Sequence, residues 1–148
     1  MSEEMRFEKF DQIGIVVNDI ERSAEMYRAL FSFKGTINIV EQDANVTYKG
    51  KDVTFTMKKI MQFFGGKQFE VVEVIRASGP NLYSEFLEQG NTGLHHLGIY
   101  VKEADNYINK FKKNFNIKVA QVGNVGKLRF TYLDTKDILG YFIELIEF

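Results

Sequence analysis

Four side chains that can bind a metal recur at matching places in two halves of the sequence. Gln12 and His96 each begin a short alternating segment, whereas Glu70 and Glu144 each lie where acids alternate with aliphatic residues. An amide oxygen, an imidazole and two carboxylates suit a divalent cation in roughly octahedral coordination, with positions left for water or substrate. A single polar residue on a strand usually faces solvent, so this metal prediction depends on the repeated placement.

The matching places belong to an internal repeat. Residues 10–20 resemble residues 94–104, and the segment Phe69–Val74 resembles the segment Ile143–Phe148. The identical residues in the first pair of segments are Gly14 and Gly98, Ile15 and Ile99, and Val17 and Val101. The repeat predicts two related modules rather than one undivided unit.

Each half reads as a strand, a helix and three further strands. Apolar residues at helical spacing follow the first strand of each half; they are Ala24, Tyr27, Leu30 and Phe31, and then Ile108, Phe111 and Phe115. Alternation predicts further strands at Val53–Lys59 and Lys127–Leu133. The first half is longer, and we expect its extra residues in turn-like stretches at Glu41–Gly50 and Gly65–Gly66.

A connector, Ser78–Gly90, separates the halves. It contains the one proline of the chain, Pro80, which we expect to open a short helix that Gly90 closes. The apolar stripe of this helix comprises Leu82, Phe86 and Leu87. Because neither half should bury enough surface alone, we expect one domain over 1–148, or halves completed by a second chain. Its parts are module 1 at about 8–76, the connector helix at about 79–90 and module 2 at about 92–148.

Alternation divides each repeated strand into two faces. One face is apolar and is predicted to pack on the helices; its members are Ile13, Ile15, Val17, Leu97, Ile99, Val101, Ile143 and Leu145. The other faces carry the four metal-binding side chains, which an approximate twofold axis between the halves brings together. His95 lies on the helix-facing side, so we expect it to be structural or a partner of a site residue. Glu73 and Glu147 also repeat, but they lie near strand ends, where we expect them to be solvated.

Composition excludes several classes of protein. The 148 residues include no cysteine, which rules out disulfides, thiolate zinc sites, iron–sulfur clusters and cysteine nucleophiles. A net charge of -1 argues against nucleic acid as a partner. The acidic start lacks the apolar run of a signal peptide, and no stretch approaches the length of a membrane span, so we expect a cytoplasmic protein without membrane association.

Three segments resemble the vicinal oxygen chelate superfamily, which contains glyoxalase I, methylmalonyl-CoA epimerase, extradiol dioxygenases and the bleomycin and fosfomycin resistance proteins. They are FDQIGIVVNDIERSAEMYRALF, FEVVEVIRASGPNLYSEFLEQGNTGLHHLGIYV and DILGYFIELIEF, in the family order. The resemblance implies an α+β fold in which two βαβββ modules form a cup-shaped mixed sheet around a metal. Gln12, Glu70, His96 and Glu144 fall on the four ligand positions, and this set resembles the eukaryotic form of glyoxalase I.

The resemblance also implies a chemistry. In glyoxalase-like members the residue at the position of Glu144 removes a proton next to a carbonyl, with Glu70 in support. The implied cofactor is a divalent metal, with Zn, Ni or Co favoured, and it acts as a Lewis acid. The expected partners are a small carbonyl or thioester substrate and a second copy of the chain in a homodimer.

The chain departs from the family at several positions. Members usually carry histidine where Gln12 stands, and Val16 replaces an arginine that binds the glutathione carboxylate in glyoxalase I. The epimerases have a further acidic base on a middle strand of the first module, but Val53–Met57 supplies none and Asp52 is only nearby. The closing turn reads Asp-Ile-Leu-Gly from Asp137 instead of Asp-Pro-x-Gly.

The pocket is expected to have a largely apolar wall, formed by Val16, Phe55, Met57, Tyr100 and Phe142. A handle for a substrate anion could come from Lys127 or Arg129, but solvated strand charges are the favoured interpretation of these two residues.

These features favour a metal-dependent lyase or isomerase of the glyoxalase type, similar to lactoylglutathione lyase. A methylmalonyl-CoA epimerase-like enzyme is the alternative, favoured by the central segment and disfavoured by the missing base. An extradiol dioxygenase fits less well, because Gln12 removes one of the histidines that such an iron site needs. A metal-independent antibiotic-binding resistance protein is the alternative from another class.

Overall fold

The computed structural model describes residues 6–148 and contains eight strands and four helices in that range. They are β1 (Gln12–Val16), α1 (Ile20–Leu30), β2 (Val40–Tyr48), β3 (Lys51–Phe64), β4 (Lys67–Ala77), α2 (Leu82–Glu88), β5 (Gly93–Val101), α3 (Ala104–Phe115), β6 (Val119–Val125), β7 (Leu128–Leu133), α4 (Lys136–Leu139) and β8 (Phe142–Glu147). The first few residues of the acidic start, used above to argue against a signal peptide, lie outside the described residues. None of the helices within 6–148 is both long and apolar enough to span a membrane.

The strands form one closed sheet in the order β1-β4-β3-β2-β6-β7-β8-β5. Within each module the first and last strands are parallel neighbours, β1 with β4 and β5 with β8, while the modules meet where β1 runs antiparallel to β5. The predicted α+β fold of two βαβββ modules is therefore confirmed. The cup also closes on its far side, because β2 pairs with β6 through Val46, Thr47 and Tyr48.

All of the predicted helix-facing residues except Leu97 belong to two separate hydrophobic cores. Ile13, Ile15 and Val17 pack with Ile20 and Ala24 of α1 in one core. The corresponding core of module 2 joins Ile99, Val101, Ile143 and Leu145 with Ala104 of α3. A third core fills one end of the closed sheet, where Leu82, Tyr83 and Phe86 of α2 pack with Val16, Phe55 and Phe142. Burial of this apolar area holds each helix on its own module.

The connector forms the expected helix with a different first residue. Pro80 precedes the helix, and Asn81 caps it by accepting a hydrogen bond from the Ser84 backbone N–H at 3.0 Å. Asn81 is fully buried, and a capping side chain of this type typically stabilises a helix by about 1 kcal/mol. Gly90 follows the helix with a φ of 86°, a left-handed conformation that favours glycine.

The extra residues of the first half do not lie mainly in the turn-like stretches where the sequence predicted them. Most of Glu41–Gly50, predicted as a turn-like stretch, is strand β2, and only Lys49 and Gly50 form the turn. The prediction failed because the polar residues lie on one face of β2, while Ala44, Val46 and Tyr48 face inward. The added residues lengthen β3 to 14 residues and β4 to 11, against 6 each for β7 and β8. Gly65 and Gly66 form the predicted turn between β3 and β4.

Glu73 and Glu147 are not simply solvated, which corrects the sequence expectation. The backbone N–H of Ile20, the first residue of α1, donates a hydrogen bond to Glu73 at 2.8 Å. The backbone N–H of Ala104, the first residue of α3, donates to Glu147 at 2.9 Å. Each carboxylate therefore satisfies an unpaired amide and complements the positive end of a helix dipole. This contact is repeated in the two modules.

Candidate functional site

The four predicted metal-binding side chains meet inside the closed sheet. Gln12 comes from β1, Glu70 from β4, His96 from β5 and Glu144 from β8. The His96 Nε2 atom lies 3.1 Å from Gln12 Oε1, 3.4 Å from Glu70 Oε1 and 3.5 Å from Glu144 Oε1. All four residues are buried. The model thus brings together each residue of the predicted set, two from each module.

Two glycines leave the space in which these side chains meet. In the β1–β5 pairing, Gly14 lies opposite His96 and Gly98 lies opposite Gln12, so each module places its glycine under the other module's side chain. A Cβ atom on Gly14 would overlap the His96 ring. One on Gly98 would lie 3.0 Å from Gln12 Oε1 and 3.1 Å from Glu144 Oε1. The shared glycines of the sequence repeat are therefore part of the site.

Burial and neighbouring charges shift the pKa values of Glu70 and Glu144 in opposite directions. Burial raises the pKa of Glu144 to about 7, and the nearby Glu70 carboxylate adds to this, although the His96 charge opposes it. Burial acts in the same direction on Glu70, but the hydrogen bond and charge of His96, together with Lys59, lower its pKa below the ordinary value. For His96, burial is outweighed by Glu144 and Glu70, which raise the pKa of the imidazole. The arrangement holds one carboxyl ionised and leaves the other poised to carry a proton.

A chain of hydrogen bonds orients the Gln12 amide. Its Nε2 donates to Gln68 Oε1 at 3.2 Å, and the same oxygen accepts a bond from the Tyr100 hydroxyl at 3.1 Å. The Gln12 oxygen is consequently turned toward His96. Sequence analysis did not identify Gln68 as a site residue. Its position two residues before Glu70, on the same face of β4, was the signal that could have indicated it.

His95 contacts His96 from behind, as expected for a structural residue or a partner. Its Nδ1 atom lies 2.8 Å from Nδ1 of His96, and its ring packs against Tyr83, Phe86 and Phe142. Burial lowers the pKa of His95 well below its ordinary value, and the charge of His96 lowers it further. A neutral His95 can accept the Nδ1 proton of His96, which directs Nε2 into the site.

Two tyrosines cover the carboxylates. The hydroxyl groups of Tyr83 and Tyr132 lie 2.6 Å apart, and both residues are buried. The Tyr132 hydroxyl stabilises the Glu144 carboxylate, which partly offsets the effect of burial on that pKa. The Oε1 atom of Glu144 is buried and has no hydrogen-bond partner among the described residues. Such an atom is costly unless a ligand or substrate uses it.

The residues at the site fit a divalent cation, although they are not preassembled around one. Within residues 6–148, no group of three His, Asp or Glu side chains is arranged to hold a metal ion as it stands. His96 Nε2 itself lies among the oxygens, 3.1 Å from Gln12 Oε1 and within 3.5 Å of both carboxylates. These distances are close to the spacing of about 3.0–3.4 Å between neighbouring ligands of an ion bound at about 2.1 Å. Metal binding then requires loss of the Nε2 proton and small rotations of the carboxylates.

A pocket of about 240 Å³ opens above these side chains. The predicted wall residues Phe55, Met57 and Tyr100 line it, whereas Val16 and Phe142 belong to the hydrophobic core nearby. Gln12, Glu70 and Glu144 also line the pocket, so substrate can reach them. A mostly apolar cleft with a few convergent polar groups is typical of a small-molecule site.

Neither Lys127 nor Arg129, the two candidates for an anion handle, lines the pocket, which agrees with the favoured interpretation of both as strand charges outside it. Arg129 pairs with Asp105 and Glu147, each at 2.9 Å, and Lys127 is exposed at the β6–β7 turn. The positive charge in the pocket comes from Lys59 of β3. Asp52 lies outside this pocket and accepts a hydrogen bond from Thr47.

Solved structures with a similar fold include several epimerases. Methylmalonyl-CoA epimerase from Mycobacterium tuberculosis is 18% identical with a TM-score of 0.62, over 93% of this chain and 86% of that one. A hypothetical protein from Bacillus halodurans C-125 is 19% identical with a TM-score of 0.60, over 95% and 94%. Streptomyces coelicolor methylmalonyl-CoA epimerase in complex with 2-nitronate-propionyl-CoA is 21% identical with a TM-score of 0.56, over 94% and 93%.

Comparison with known sequences assigns the chain to a superfamily but not to a narrower group. No curated protein matches the chain. A family model described as the Glyoxalase/Bleomycin resistance protein/Dioxygenase superfamily matches residues 11–132, which span β1 through most of β7. This match covers most of the chain and agrees with the paired modules and the closed sheet seen in the structure. The chain belongs to the glyoxalase/bleomycin resistance protein/dioxygenase superfamily.

Proposed function

We propose that this protein is a divalent-metal-dependent enzyme of the glyoxalase type, a lyase or isomerase that removes a proton next to a carbonyl. The observation that carries the proposal is the convergence of four side chains beside the pocket. Oxygen atoms of Gln12, Glu70 and Glu144 lie within 3.5 Å of the His96 Nε2 atom. These four residues would hold the metal. When bound, a divalent ion acts as a Lewis acid that stabilises negative charge developing on a carbonyl oxygen.

Glu144 is the proposed base. It lines the pocket, its Oε1 atom has no hydrogen-bond partner in the described part of the chain, and its raised pKa suits proton transfer near neutral pH. Glu70 lies on the other side of His96, and its lowered pKa keeps it ionised in support. Tyr132 forms a hydrogen bond with Glu144 and packs against the His96 ring, which limits the movement of the proposed base.

Proton exchange in heavy water tests this role. Replacing Glu144 with Gln should abolish deuterium incorporation into a carbonyl substrate while leaving part of the metal binding, because the amide oxygen can still be a ligand. The matched control is Glu147→Gln, three residues away on β8 and outside the pocket, which should keep exchange and metal content. Unchanged exchange in Glu144→Gln would exclude Glu144 as the base. A folded wild-type protein that takes up no metal in metal-replete buffer would instead favour the antibiotic-binding alternative.

An acyl-CoA epimerase is the second candidate, and two of the structural neighbours named above support it. The positions of the acidic side chains argue against a separate catalytic base on a middle strand of module 1. Asp43 accepts a hydrogen bond from Thr56, and Glu70 and Glu144 are the carboxylates of the pocket among the described residues. An epimerase would therefore have to use these two. Assays with the hemithioacetal of methylglyoxal and with methylmalonyl-CoA distinguish the two reactions.

The homodimer and the cytoplasmic location expected from the sequence stay predictions. The same holds for the choice of Zn, Ni or Co as the metal.

A further inference from the structure

Strand β3 carries a charge on its inner face, where the other residues are apolar. Val53, Phe55 and Met57 alternate along this face and are buried, and Lys59 is the next residue in the alternation. Lys59 lines the same pocket as Phe55, Met57 and Met61. Lysine is rarely placed on the inner face of a sheet unless a partner compensates its charge. The position therefore calls for a partner inside the pocket.

No strong partner for Lys59 is found among residues 6–148. Its side chain is only 17% exposed, and its nearest carboxylate oxygen, Glu70 Oε2, lies 3.8 Å away. That distance is beyond a charge-assisted hydrogen bond, which is typically about 2.7–2.9 Å long. The three N–H groups of the ammonium are thus held in the pocket without a close acceptor from the described side chains.

The charges of the pocket leave Lys59 unbalanced once a metal is present. The charged residues that line it are Glu70, Glu144 and Lys59. A divalent ion held beside a neutral His96 would balance both carboxylates, so the ammonium would face the substrate as a net positive charge. The neighbouring polar side chains of the wall, such as Gln42 and Gln121, are neutral.

We propose that Lys59 is a specificity residue that binds a carboxylate on the substrate, close to the reacting carbonyl. This inference rests on the proposed function. If the substrate carbonyl binds beside Glu70 and Glu144, a carboxylate close to that carbonyl comes within reach of Lys59. It assigns the acyl part of the substrate to the class of carboxylated carbonyl compounds. A neutral acyl group would leave the partly buried ammonium without a close acceptor and should bind less well.

The test compares two small probes that differ in one charge. Malonamate has a carboxylate and an amide carbonyl, and malonamide has two amides. With metal-loaded wild-type protein, calorimetry should show malonamate binding at least about tenfold tighter than malonamide. Lys59→Met should remove this preference, and Lys59→Arg should keep most of it because the charge is retained. The matched control is Lys58→Met, since Lys58 is adjacent on β3 but pairs with Glu21 outside the pocket; it should bind both probes as the wild type does.

Metal content, measured in the same samples, separates the possible failures. If Lys59→Met keeps its metal and its preference for malonamate, the proposal is wrong. It is also wrong if the variant loses metal and binds both probes equally weakly, because Lys59 then acts only through Glu70. Absence of proton exchange in a wild type that binds malonamate through Lys59 would overturn the proposed function and leave the anion site standing. Proton exchange in a wild type that shows no preference for malonamate would overturn the anion site and leave the proposed function standing.

Discussion

Gly14 and Gly98 determine whether the side chains of the four candidate metal ligands fit between the modules. Each is buried on a first strand and lies opposite a site residue of the other module. Neither has a positive φ, so the requirement for glycine comes from space rather than from backbone conformation. The imidazole of His96 fills the place that a Gly14 side chain would need. The two glycines therefore matter to chemistry as well as to packing.

Replacing Gly14 with Ala should destabilise the protein by about 1–3 kcal/mol, because overpacking against a buried ring forces a shift. In Gly98→Ala the added Cβ would lie 2.9 Å from the Gln12 Cβ and 3.1 Å from Glu144 Oε1, so β1 and β5 must shift slightly apart and the variant should bind metal more weakly. Gly35→Ala is the control, since its added Cβ would make only an ordinary contact with Gln62 Oε1 at 3.6 Å. Urea unfolding and metal content provide the measurements. Wild-type metal affinity in a folded Gly98→Ala would contradict this account of the glycine.

The sequence repeat was sufficient to predict that the four candidate residues meet, because it placed one possible ligand at the same point of each repeated strand. The residues around them were harder to predict. Lys59 follows Phe55 and Met57 at the same spacing, so extending that alternation by one step would have found it. Tyr132 and Gln68 come into contact with the site through strand pairing and side-chain orientation, which a single sequence does not specify.

At the scale of elements, each first helix is held at its N-terminus by the last strand of its module. Glu73 of β4 contacts α1 and Glu147 of β8 contacts α3. The sequence showed both acids as repeated, but their position near strand ends suggested solvation. Their role depends on how the parallel pairing of first and last strands brings the helix start beside them. That relation belongs to the tertiary structure, whereas the order of strands and helices follows from hydrophobic periodicity.

Removing one of these carboxylates should cost stability without affecting the site. Glu73→Ala should lower the free energy of unfolding by about 1–2 kcal/mol, because the Ile20 amide loses a charged acceptor at a helix start. Glu25→Ala, an exposed change on α1, should stay within about 0.5 kcal/mol of the wild type. Urea denaturation at neutral pH measures both. Equal stabilities for the two variants would show that the Glu73 contact contributes nothing.

At the scale of the whole molecule, the site exists only because two modules share one closed sheet. Each module supplies two of the four side chains, and the β1–β5 pairing aligns them across the approximate twofold axis. The repeat predicted this pairing of modules. It did not predict the pairing of β2 with β6, since the polar outer face of β2 concealed the strand. That second contact closes the wall of the pocket on the side away from β1.

The central claim is that the Gln12, Glu70, His96 and Glu144 side chains hold a divalent metal ion. Elemental analysis of the folded protein, after incubation with Zn, Ni or Co and removal of free ions, tests it most directly. We expect about one ion per chain in the wild type, and a large loss in His96→Ala, with the Glu147→Gln control unchanged. A folded wild-type protein without bound metal under these conditions, or a His96→Ala variant that retains it, would contradict the claim.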